Sequence, residues 1–200
     1  MHINNSLLPN DLLLFADFIW LLVLVQAIRS APWQVFLARS TGQHVFAGAS
    51  LCLFLMWNFA IEVRPALGFH FLGVTAYTLM FGWSLGVIGT SLVMVAVTFT
   101  AGDWSALALN ALLIGVLPVS VSYGVYALVH LHLPRDLLIY IFLCTFFNAM
   151  LAASVVVLAL VVLLIATDTY SFRRISSDYL PFIPLYPFPE GLLNGMTITA

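Results

Sequence analysis

From Leu137 to Thr167 the chain carries no charged side chain. A helix that long and that apolar belongs in a bilayer, whose hydrocarbon core of about 30 Å is crossed by roughly 20 apolar residues. The rest of the sequence agrees. Hydrophobic residues make up 63% of it, charged residues only 7%, and the mean hydropathy is +1.10. Soluble domains carry about 25% charged residues, so the chain reads as an all-α membrane protein. About seven transmembrane helices in one bundle are expected, within a single integral-membrane domain over 1–200.

The apolar runs place spans over 12–28, 44–61, 69–81, 84–100, 106–131 and 137–167, with a partial one over 190–200. Spans three and four are separated only by a tight turn at Gly82. Pro118 is expected to kink the fifth, because it removes a helix N–H. From Glu190 eleven residues remain, about 16 Å of helix, so the last span is expected to be incomplete and the native chain to run past Ala200. The amino terminus shows no signal-peptide pattern, which makes Met1 the expected mature terminus. The six basic residues are all arginine and fall three to a side, so charge does not orient the bundle. In either orientation Met1 and His2 share a face with His70, while His44, His130 and His132 lie on the other.

Several function classes drop out. Without a basic patch, nucleic acid is not a partner. HExxH and P-loop patterns are missing, so the sequence offers neither a zinc-hydrolase centre nor a nucleotide site. Cys52 and Cys144 lie in apolar runs and read as small buried hydrophobes.

His70 is the residue that packing does not ask for. It sits in Gly68-Phe69-His70-Phe71-Leu72-Gly73, near the start of a hydrophobic run. An imidazole carried toward a bilayer faces the bundle interior and has a partner. Met1-His2 supplies one. The free α-amine, the deprotonated His2 amide nitrogen and His2 Nδ1 form two fused chelate rings around one metal. They leave an equatorial position that His70 completes, a square-planar nitrogen set suited to Ni(II) or Cu(II). The alternative is an interfacial His70 hydrogen-bonded to backbone. Asp17, within the first span, is either functional or a wet interfacial carboxylate. Asn58, Asn110 and Asn148 read as interhelical hydrogen-bond donors and acceptors. His130 and His132 point to different helix faces and do not form a ligand pair.

Together these segments resemble the CbiM/NikM family, substrate-binding membrane components of energy-coupling factor ABC transporters for cobalt and nickel. The opening Met1-His2-Ile3 is similar to that family's start. Gly68 to Gly73 is similar to its histidine segment at the third span. Gly102-Asp103 through Asn110 to Gly115, and Pro189-Glu190-Gly191 opening the last helix, follow in the family's order. Asn4-Asn5-Ser6, Trp104-Ser105 and Leu113 depart from its pattern. The resemblance implies a metal site of Met1, His2 and His70, with Co(II) or Ni(II) as the transported substrate. It implies a membrane coupling (T) subunit and cytoplasmic ATPase subunits as partners. It also implies a bacterial inner-membrane location, with the amino terminus outside. The other reading of the same residues is a structural or regulatory membrane subunit that kept the fold and lost tight metal binding.

Overall fold

The structure is a computed structural model. It describes residues 9–59, 71–102, 104–169, 173, 175 and 185–199, and the backbone of 61–64 and 67–69. These residues form helices apart from one short hairpin. Helix α1 is Asn10–Ser30, α2 is Trp33–Ala38 and α3 is Ser40–Asn58. Strands β1 (Ile61–Arg64) and β2 (Leu67–Phe69) pair antiparallel, with Ile61 opposite Phe69 and a register irregularity between Glu62 and Arg64. Then come α4 (Val74–Ala101), α5 (Leu107–His132), α6 (Leu137–Ala166) and α7 (Pro187–Thr199). Helices α1, α4, α5 and α6 are long and apolar enough to cross a membrane on those grounds alone.

Helix α4 is two helices. Gly82 has φ 78 and ψ 178, a conformation open to glycine and closed to residues with a Cβ. In one continuous helix, residues 78 and 86 would be about 12 Å apart. Here Thr78 Oγ1 would lie 3.7 Å from a Cβ on Gly86, and the Tyr77 hydroxyl abuts Gly89. The chain therefore doubles back at Gly82, as the sequence leads one to expect, leaving a short arm (74–81) packed along a long arm (83–101). Phe46 of α3 packs edge-on against Phe81 at 5.1 Å and at a tilt against Tyr77 at 5.8 Å, fastening α3 to the short arm. Small residues let the long arm meet α5 closely. A Cβ on Gly86 would come within 3.2 Å of Val119, and one on Gly115 within 3.0 Å of Thr90.

Four expectations are corrected. The run over 69–81 is helical only from Val74, because Leu67–Phe69 is a strand paired with Ile61–Arg64. The same pairing ends α3 at Asn58, short of Ile61. At Pro118 the helix does not simply kink. The carbonyl freed by its missing N–H is absorbed in a widened π-turn over Ala111–Val116. Cys144 is buried as expected, but Cys52 is exposed, since α3 buries only Leu53 and Trp57.

Candidate functional site

The most heavily bonded polar cluster lies where the loop Phe71–Gly73 enters the short arm. A helix start leaves its first N–H groups without intrahelical acceptors. The last helix supplies them here. Glu190 accepts from the Leu72 N–H (Oε2, 2.9 Å) and the Gly73 N–H (Oε1, 2.7 Å). Asn194, one helical turn further along α7, accepts from the Ala76 N–H at 2.8 Å. The Asn194 amide also donates to Glu190 Oε1 at 2.8 Å, tying the two acceptors together. Glu190 is 1% exposed and Asn194 0%. A carboxylate taken that far from water is tolerated because all its donors are in place and the helix start carries partial positive charge.

Two further contacts fix the loop. The Trp57 indole N–H donates to the Leu72 carbonyl at 3.0 Å. Gly73 has φ 64, and a Cβ there would lie 2.9 Å from Leu53 Cδ2 and 3.2 Å from Met56 Cε. Any other residue would be strained and would push into α3. On the far side, α7 seats tightly against α6. A Cβ on Gly191 would meet the Phe146 carbonyl at 3.0 Å, within the π-helical stretch Tyr140–Phe147.

A neutral polar chain continues from the short arm into the bundle. Thr75 Oγ1 and Ser122 Oγ are 2.8 Å apart, and Asn148 donates to the carbonyls of Ser122 and Cys144 at 2.9 Å each. Asn148 thus joins α6 to α5, and Asn58 joins α3 to α4 by accepting from Thr100 at 3.0 Å. Asn110 is buried.

Met1, His2 and His70, the ligands expected from the sequence, lie outside the described residues. His70 directly precedes Phe71, so the clamp by Glu190, Asn194 and Trp57 begins two residues after it. His44, His130 and His132 are exposed, and among the described residues no group of three or more His, Cys, Asp or Glu side chains could hold a metal. Asp17 is half-buried on α1 and makes no hydrogen bond to another described residue. The pairing of Glu190 with Leu72 and Gly73 was not expected from the sequence. The available signal was a carboxylate and an amide four residues apart, on one face of an otherwise apolar segment.

An apolar helical bundle in which a buried carboxylate ties the last helix to the backbone at Leu72 and Gly73 defines the scaffold of an integral-membrane protein. Residues 2–200 match the family described as the cobalt uptake substrate-specific transmembrane region, CbiM. The chain belongs to that family and is a transmembrane component of metal transport. Two crystal structures share its fold. One is of a transition metal transporter, at 18% identity and TM-score 0.74, covering 100% of this chain and 91% of that one. The other is of a truncated transition metal transporter, also at 18% and 0.74, covering 100% and 97%. No curated protein matches the chain in sequence.

Proposed function

We propose that this protein is the substrate-binding membrane component of an energy-coupling factor transporter for Co(II) or Ni(II). In this reading it is a single integral-membrane domain of a bacterial inner membrane with its amino terminus outside. The metal is held by the Met1 amine, the His2 amide and imidazole, and the His70 imidazole. A membrane coupling subunit and cytoplasmic ATPases supply the energy, since the sequence offers no nucleotide site. The observation that carries the reading is the clamp beside His70. A four-nitrogen site needs ligands held to a fraction of an ångström, and Glu190, Asn194 and Trp57 fix the backbone that follows the histidine.

The test is the metal content of protein purified with a free amino terminus. It is expected to retain Co(II) or Ni(II), and an amino-terminal tag or acetylation is expected to abolish retention by removing a chelate ring. His70→Ala leaves three nitrogens and a position open to water, so binding weakens without vanishing. Inserting one glycine between Met1 and His2 lets the amine, two amides and the imidazole fill the plane alone. That variant binds Ni(II) or Cu(II) regardless of His70 and does not transport. A tagged protein that binds as well as the free one would exclude the chelate. An untagged protein that binds neither ion would favour a structural or regulatory subunit.

A further inference from the structure

The corner where α5 ends and α6 begins holds a cavity of about 400 Å³, separate from the clamp. Its apolar lining includes Val129 and Leu133, and its polar side chains are Tyr126, His130, Arg135, Asp136 and Tyr140. The His130 ring stacks on Tyr126 with centroids 5.7 Å apart and planes 23° apart. Arg135 Nη2 lies 3.4 Å from His130 Nε2. That imidazole nitrogen is a weak partner for a guanidinium, and among the described residues Arg135 has no carboxylate. The neighbouring Asp136 is committed elsewhere. Its Oδ1 accepts from the Leu138 N–H at 2.8 Å and the Ile139 N–H at 3.4 Å, capping α6.

The cavity therefore combines a guanidinium that has no paired carboxylate among the described residues, two tyrosines and several apolar side chains. Leu137 lines it, and Leu137 and its chain neighbour Leu138 are exposed and in a membrane face lipid. A guanidinium beside phenols recognises a phosphate oxygen, and apolar walls continuous with the lipid face accept the glycerol and acyl part behind it. We propose that this cavity binds the headgroup of one anionic phospholipid, its phosphate on Arg135 and the tyrosine hydroxyls. The apolar share of the lining argues against a free phosphate. The continuity with the lipid-facing leucines argues for a lipid rather than the acidic side chain of a partner helix.

The experiment uses the full-length protein in detergent, offered phosphatidylglycerol, phosphatidylcholine or soluble glycerol phosphate. Native mass spectrometry counts retained molecules, and a thermal melt reports stabilisation. Phosphatidylglycerol is expected to be retained in preference to phosphatidylcholine and to raise the melting temperature, while glycerol phosphate does neither. Arg135→Gln is expected to cut the phosphatidylglycerol preference about fivefold. The double variant Tyr126→Phe, Tyr140→Phe keeps every charge and is expected to cut it as well, which covers the case where Arg135→Gln does not fold. Equal retention of the two lipids would overturn the proposal, as would a preference unchanged in both variants. Retention of glycerol phosphate in place of lipid would mark a soluble-anion site and overturn it too. None of these outcomes bears on the metal reading, because no residue of the cavity belongs to the clamp.

Discussion

Two carboxylates in this molecule perform the same elementary task by opposite means. Asp136 caps α6 from the adjacent residue, in an exposed corner, by accepting from Leu138 and Ile139. Glu190 caps the short arm of α4 from another helix, fully buried, across a sequence separation of 118 residues to Leu72. The local cap satisfies donors that water would otherwise reach. The remote cap satisfies donors that nothing else can reach, and it joins the last helix to the loop that follows His70. Removing the first costs what a surface cap contributes. Removing the second leaves buried N–H groups without acceptors and unties two parts of the fold at once.

The largest effect is expected for Glu190→Ala. The N–H groups of Leu72 and Gly73 and one proton of the Asn194 amide would lose their acceptor in a dry interior. A loss of about 3–5 kcal/mol follows from breaking a buried charged network by removing one partner. Thermal melts in detergent measure it, and a loss below about 1 kcal/mol would show that water already reaches the clamp.

Asn194→Ala comes next. It removes the acceptor for the Ala76 N–H and one donor to Glu190 but leaves the carboxylate on Leu72 and Gly73. About 2–3 kcal/mol is expected for a buried donor left unpaired. In a double-mutant cycle with Glu190→Ala the two losses should fall well short of additive, because both act on one network. Additive losses would mean that the two residues work separately.

Gly73→Ala sharpens the geometry. It strains a backbone at φ 64 and presses a methyl against Leu53, so about 1–3 kcal/mol is expected. The companion Leu53→Ala should relieve the contact and leave the backbone strain. At the other carboxylate, Asp136→Ala is expected to cost only about 1 kcal/mol.

Much of the architecture was legible in the sequence, for identifiable reasons. Charge-free runs mark the spans, and a glycine between two of them marks the reversal at Gly82. The hairpin of Ile61–Arg64 with Leu67–Phe69 was not legible, because Ile61 and Phe69 read as the end of one apolar span and the start of the next, and the residues between them as a connecting loop. Periodicity cannot separate those readings over so few positions. The role of Glu190 was hidden more deeply. The sequence shows that it opens the last helix, but its partners are backbone N–H groups more than a hundred residues away, and no side-chain pattern records them. Met1, His2 and His70 were proposed from nitrogen geometry and family likeness, not from packing, and lie outside the described residues. Cys52 was misjudged because an apolar run in a membrane protein does not reveal which of its faces meets lipid.

The central claim is that the buried cap, and not caps in general, holds in shape the end of the molecule proposed to bind metal. Calorimetric titration of Co(II) and Ni(II) into untagged wild type, Glu190→Gln and Asp136→Asn tests it most directly, with melts confirming that each variant is folded. Both substitutions remove one carboxylate charge with little change in size. Glu190→Gln is expected to weaken metal affinity tenfold or more, the usual cost of losing a group that supports a ligand, while Asp136→Asn binds as wild type does. A folded Glu190→Gln protein with wild-type affinity, or equal losses in the two variants, would contradict the account.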